Sequence, residues 1–425
     1  MSFSSLGLSS AILKALQGYK HSTEIQNRLI PAILGEKDIL ASSQTGTGKT
    51  AGFVLPILEK IIKRKKENSK SYIQALIIVP TRELAKQVAQ ATTDYSQYLS
   101  IKSMVIYGGK PLSVQAKGLS KGVDILIATT GRLVEHLNQK NIDLSGVKYF
   151  VIDEADTILD MGFRNEISQI IRELTPQRQN ILISATLTGS LKELSQEILT
   201  RPLRIEISPL GDTLSNIKQV LYPVDEDKKL ELLSFLIGSR NYKQVLVFVR
   251  TKVEAKIVEK DLISSGLKTV SIHGDKSSNS RGRALELFKD KKTRVLVATD
   301  IASRGLDIKG LDIVISYDIP HITQDYIHRI GRTGRAGRSG LAIILNSPRE
   351  LIALREVERM LLKSIDIEII DGYAPKVILN QKGARTKINQ KKTKIAGAFG
   401  NRKAKKSKKE IKKRRKTTKR DDWIR

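Results

Sequence analysis

Three acids in four residues, Asp153-Glu154-Ala155-Asp156, close the apolar run Tyr149-Phe150-Val151-Ile152. The run reads as a buried β-strand, and acids at the mouth of such a strand are costly unless something positive meets them. Mg2+ carrying a nucleotide is the natural candidate, and it calls for a phosphate cradle elsewhere. Gly46-Thr47-Gly48-Lys49-Thr50 supplies one, soon after the short apolar stretch Asp38-Ile39-Leu40-Ala41. The loop 43–50, Ser43-Gln44-Thr45-Gly46-Thr47-Gly48-Lys49-Thr50, departs from the pattern G-x-x-x-x-G-K-[ST] at one position, Ser43. Gly46 and Gly48 let backbone N–H groups approach phosphate oxygens at a helix N-terminus. Lys49 reaches the β- and γ-phosphates, and the Thr50 hydroxyl is a Mg2+ ligand. Asp153 is then the metal's protein partner, and Glu154 is placed to orient and deprotonate the attacking water. Glu154 and Asp156 also suit a helix N-terminus, where acids favour the macrodipole. That plainer role weighs more for Asp156.

The second half has no glycine-rich loop. Its first apolar run, 244–249, leads straight into Arg250-Thr251-Lys252. Its distinctive segment is His328-Arg329-Ile330-Gly331-Arg332-Thr333-Gly334-Arg335, three arginines at spacing three. Such arginines suit phosphate oxygens. A cradle in one half and arginines in the other point to one ATP site in a cleft between two domains, with hydrolysis requiring closure.

The elements that must position these groups follow a single pattern. Apolar runs at 74–79, 123–128, 147–152, 180–183, 244–249, 269–272, 293–298, 311–315 and 341–345 alternate with helical patterns. Near-continuous apolar strands alternating with helices predict an α/β fold with parallel sheets covered on both faces. Ligands bind beyond the carboxyl ends of such strands, where the polar segments around Thr81, Thr129, Asp153, Ser184, Arg250, His273 and Thr299 all lie. The halves join around 201–216, a stretch with Pro202, Pro209 and Gly211 that reads as a linker. The resulting division is a first domain at 1–205, a linker at 206–216, a second domain at 217–373 and a tail at 374–425.

The 425 residues carry a net charge of +30. From Lys376 to Arg425 there are 21 Lys+Arg against 3 acids. Apolar content collapses there, so the tail reads as disordered and as an arm for a polyanion. No apolar run reaches the ~18 residues a membrane helix needs, and the N-terminus has no secretory pattern. The absence of cysteine excludes disulfides and thiolate chemistry and fits a reducing cytoplasm.

In order and nearly end to end, over about 3–369, these segments resemble the DEAD-box family of ATP-dependent RNA helicases, with a look similar to the bacterial RhlE-like subgroup. The resemblance implies two tandem RecA-like domains and an RNA-stimulated ATPase that locally separates short duplexes or remodels RNA–protein complexes. It also implies site residues. Gln26 reads adenine, with Tyr19 and Thr23 in the same segment and Phe3 packing on the base. Ser184 and Thr186 couple hydrolysis to strand separation, with Arg304 in the coupling set, and Asp307 contacts the ribose. Arg332 and Arg335 are arginine fingers. Pro80, Thr81, Arg82, Gly109, Thr129, Gly131 and Arg132 line the RNA in the first domain, and Thr251, Gly274, Arg281 and Thr299 in the second.

The chain departs from the family where Ser22 and Thr130 replace prolines and Ser278 replaces a glutamine, and Phe3 sits slightly close to Gly18. Relatives of this kind act in ribosome assembly and RNA turnover. Two other readings of the residues remain: a DNA helicase or translocase, since phosphates alone do not distinguish the strands, and a binding scaffold with a dead ATPase, against which the intact lysine, acids and arginines speak.

Overall fold

Continuous apolar runs become the centres of two parallel sheets in the computed structural model, which describes residues 1–43, 47–65, 72–207, 216–303, 308, 310–334, 339–375, 378–379 and 385–386. The strands β1 (Ile39–Ser42), β2 (Ala75–Val79), β3 (Ser103–Ile106), β4 (Ile125–Thr129), β5 (Tyr149–Ile152), β6 (Gln179–Ser184) and β7 (Leu203–Glu206) form the first sheet, in the order β3-β4-β2-β5-β6-β1-β7. The strands β8 (Ile217–Pro223), β9 (Val245–Val249), β10 (Thr269–Ile272), β11 (Val295–Thr299), β12 (Ile313–Ser316), β13 (Gly340–Asn346) and β14 (Asp366–Ile367) form the second, in the order β10-β11-β9-β12-β13-β8-β14. Every pairing in both sheets is parallel. Counted from each sheet's first strand, the two orders are the same. Both sheets belong to one compact unit, Met1–Lys376, and Val377–Arg425 form another.

Alternate residues of one strand feed different cores, as a period of two requires. On β2, Ala75, Ile77 and Val79 pack with the helices Glu24–Leu34 and Lys49–Lys65, while Leu76 and Ile78 pack into a second cluster with Leu133, Ile158 and Leu191. On β9, Val245, Val247 and Val249 divide from Leu246 and Phe248 in the same way. Burying each such side chain contributes about 1.5–3 kcal/mol, which makes the central strands rigid supports for whatever their ends carry.

Two expectations change. The stretch 201–216 is not all linker, because Leu203–Glu206 pairs with β1 as the sheet's edge strand; residues 208–215 lie outside the described residues. The second sheet's first strand is β8, not the run at 244–249, and β8 leads into the helix Lys229–Ser239. Of the tail, the described residues are 374–375 and the antiparallel pair Ile378–Leu379 with Arg385–Thr386. Among the described residues no helix is long and apolar enough to cross a membrane.

Candidate nucleotide and nucleic-acid site

The loop after β1 turns directly into the helix Lys49–Lys65. Gly48 adopts φ +93°, and a Cβ there would lie 2.4 Å from Gln26 Nε2, so glycine is required. Gln26 donates to the Gly48 carbonyl at 3.1 Å and accepts from the Thr23 N–H at 2.9 Å, closing a capping box on the helix Glu24–Leu34. Both ends of its amide therefore tie the Thr23 turn to the phosphate loop. Ser43 fills the missing-glycine position usefully: its carbonyl accepts from Lys49 Nζ at 2.6 Å and its hydroxyl meets that of Thr47 at 2.7 Å. Thr50 is half-buried one residue into the helix. Gln44, Thr45 and Gly46 lie outside the described residues.

Phe3 opens the turn Phe3–Leu6 and packs into the core. Tyr19 is exposed, edge-to-face with Tyr95 at 6.5 Å. Ser22 compensates for the missing proline by donating to the Met1 carbonyl at 2.9 Å and bonding Asn27 Oδ1 at 2.5 Å.

The acidic quartet divides its labour. Asp153 and Glu154 are both buried. Burial pushes the Asp153 carboxyl up against the opposing pull of Lys49. Burial, then the neighbouring Asp153, raises Glu154 to about 7, although Lys49 and Arg332 pull it down. Glu154 also has φ 51° and ψ 50°, the left-handed region, a conformation that costs about 1–3 kcal/mol and concentrates at functional sites. Asp156 turns elsewhere. Its Oδ2 accepts from the Thr186 N–H at 2.9 Å, the Thr186 hydroxyl at 2.8 Å and the Ala185 N–H at 3.2 Å, and lies 3.9 Å from His328 Nε2 of the second half. Burial alone would raise it, but His328 and the Thr186 bond hold it below the carboxylate range. Asp156 is thus more than a helix-dipole acid. It joins β5, β6 and the other half of the molecule, a role that sequence spacing did not single out. Ser184, at the end of β6, donates to the Thr186 carbonyl at 2.7 Å and fixes that turn.

Arg332 is buried, and its charge acts on Glu154 from the second sheet. Arg335, Asp307 and Arg304 lie outside the described residues.

The expected RNA set gathers on the opposite half of each sheet. Pro80, Thr81 and Arg82 follow β2, Gly109 follows β3, and Thr129, Gly131 and Arg132 follow β4. Thr81 caps the helix Arg82–Tyr95 through the Leu84 N–H at 3.2 Å. Gly109, at φ +89°, would place a Cβ 2.5 Å from the Arg82 guanidinium, and Arg132 donates to the Lys110 carbonyl at 2.8 Å. In the second sheet Thr251 caps the helix Lys252–Ser264 in a capping box with Glu254, Gly274 follows β10 with open space around its Cα, and Thr299 ends β11. Arg281 reaches across to Glu83 at 2.8 Å. Glu83, missed from the sequence although it sits beside Arg82, is the partner that brings the two sets together.

Residues 23–194 match the family model of the DEAD/DEAH box helicase and residues 228–337 that of the helicase conserved C-terminal domain. The chain is 40% identical over 382 residues to the DEAD-box ATP-dependent RNA helicase RhpA of Helicobacter pylori strain B128, covering 89% of this chain and 76% of that one. It is 38% identical over 368 residues to CshA of Bacillus subtilis strain 168, covering 86% and 74%. Among solved structures, that of Dbp5 of S. cerevisiae bound to RNA and ADP BeF3 superposes with a TM-score of 0.75 at 28% identity, over 87% of this chain and 95% of that one. Extending across both sheets and the sites at their carboxyl ends, these matches mean that the chain belongs to the DEAD-box ATP-dependent RNA helicase family.

Proposed function

We propose that this protein is an RNA-stimulated ATPase that closes its two halves on ATP and RNA and thereby separates short duplexes or remodels RNA–protein complexes. The observation that carries this reading is the environment of Glu154: buried, held in a strained backbone, pushed up to about 7, and facing Lys49 from its own half and Arg332 from the other. A base poised near neutrality takes a proton most effectively at working pH.

Lys49 and the loop amides hold the phosphates, Glu154 orients the attacking water and accepts its proton, and Arg332 with Arg335 meets the charge that spreads onto the phosphoryl oxygens. Gln26 reads adenine by exchanging the bonds it makes within the capping box. The residues fit Mg2+: Asp153 is a buried carboxylate raised by burial and Thr50 offers a hydroxyl, and together with substrate phosphates they would hold the ion. When bound, the ion neutralises charge on the β- and γ-phosphates. Asp156 relays closure, because one carboxylate oxygen touches both the Ser184–Thr186 turn and His328 of the far half.

Contacts from Thr81, Thr129, Thr299 and their neighbours address phosphates and sugars, which carry no base sequence. The basic tail lengthens residence on RNA by tethering. We place the work in ribosome assembly or RNA turnover in the cytoplasm, and divide the chain at 205 and 217 into its two working domains. Purified protein should hydrolyse ATP faster with RNA and open a short RNA duplex. Equal stimulation by single-stranded DNA would favour a DNA translocase, and no ATPase above background at saturating RNA would leave a scaffold.

A further inference from the structure

The shared strand order gives each strand of the first sheet a counterpart in the second. The phosphate lysine, Lys49, heads the helix after the sheet's first strand; in the second sheet the helix after β8 is headed by Lys229. Asp153 follows β5, and Asp318 follows its counterpart β12. Lys229 is 0% exposed, and its ammonium is held by Glu350 Oε2 at 2.6 Å and Asp318 Oδ1 at 3.3 Å. The Glu350 carboxylate also accepts from the Ser347 N–H at 3.0 Å, the Ser347 hydroxyl at 3.1 Å and the Ile319 N–H at 3.1 Å. A lysine, a hydroxyl and backbone N–H groups converging on one oxyanion is the donor set of a phosphate cradle. Here the oxyanion is the protein's own.

The cluster also grips the arginine segment. The Asp318 carbonyl accepts from the Arg329 guanidinium, whose other edge holds Asp300 through two bonds of 2.6 Å. Arg329 ends the helix Thr323–Ile330 between His328, which meets Asp156, and Arg332, which acts on Glu154. The Arg250 guanidinium completes the charge balance, 3.7 Å from both Asp318 and Glu350.

We propose that Glu350 is a built-in anion filling, in the second sheet, the place that a phosphate takes in the first, and that Lys229, Asp318 and Glu350 are positioning residues for the segment 328–332. The cluster seals one cradle and uses it to aim groups at the other. This rests on the reading of Arg332 as a group that acts on the transferred phosphoryl.

Chemical rescue tests it in the full-length protein. Glu350→Ala should lower RNA-stimulated kcat by about ten- to a hundredfold, the range that misplacement by about 1 Å produces, with KM for ATP little changed. Formate or acetate, filling the vacated anion site, should restore much of the lost kcat and raise the variant's melting temperature, with neither effect on the parent protein. In Glu350→Ala/Arg332→Ala the carboxylate should raise the melting temperature without restoring kcat. If Glu350→Ala does not fold, Lys229→Met/Glu350→Leu, which removes the cation with its counter-ion, carries the test and should fold with kcat still low and insensitive to formate. A parent-like kcat in whichever variant folds overturns the proposal, as does rescue of melting without rescue of kcat in Glu350→Ala. Absence of ATPase in the parent protein would instead overturn the functional reading beneath it.

Discussion

Arg281 of the second half lies 2.8 Å from Glu83 of the first, both side chains largely shielded from water. The pair sits on the side of the sheets opposite the phosphate loop, so among the described residues ion pairs join the two halves on both sides: here, and at Asp156 with His328. A double-mutant cycle with Glu83→Gln and Arg281→Gln, read as RNA-stimulated kcat, should show coupling of about 0.5–3 kcal/mol, as contacting residues do. Strict additivity would make the pair incidental to closure.

Glu154→Gln should keep ATP and RNA binding while turnover falls by about 10²–10⁴-fold, the span of a lost general base. In the parent, kcat/KM should fall on the acid side with a midpoint near the raised value of about 7. Stability should move the opposite way. The folded state raises Glu154 from 4.5 to about 7, so the protonated group's contribution is complete below pH 4.5 and is lost as pH rises through 7. Ligand-free Glu154→Gln should therefore melt above the parent at pH 8 and beside it at pH 4.5. Equal melting at pH 8 would count against a strained, desolvated base.

Thr130→Pro should stabilise the protein. Thr130 is the first residue of the helix Thr130–Asn138, where proline's fixed φ is welcome, and its buried hydroxyl has no hydrogen-bond partner. Removing the orphan and stiffening the unfolded chain should together add about 1–3 kcal/mol, seen as a higher urea midpoint at unchanged m. A lower midpoint would mean that the hydroxyl is satisfied by water.

Deleting residues 376–425 removes 21 Lys+Arg against 3 acids. RNA affinity should drop, and the slope of log K against log salt should flatten by about 0.7 for each single-strand phosphate that the tail neutralises. An identical slope would remove the tail from the RNA interface.

Central strands and the phosphate loop were legible in the sequence because burial on both faces writes an unbroken apolar run and the cradle needs glycines at fixed spacing. The edge strand β7 and the mixed strand β8 were not. β7 has exposed Leu203, and β8 carries Lys218 and Gln219, so their hydrophobic signal is diluted. Missing β8 hid Lys229, which stands beside Lys228, Asp227 and Glu226 and reads as solvated surface. Asp156 was visible but its partners were not, since Thr186 lies 30 residues on and His328 arrives from the other half. Phe3 shows a further limit: nothing in the sequence marked its ring as also packing into the core.

The two sheets share one strand order, so each strand of the first has a counterpart in the second. In this chain the first sheet's cradle remains open to phosphate, while Glu350 occupies that of the second. On the proposal above, closure is expected to engage one nucleotide, at the cradle of the first sheet.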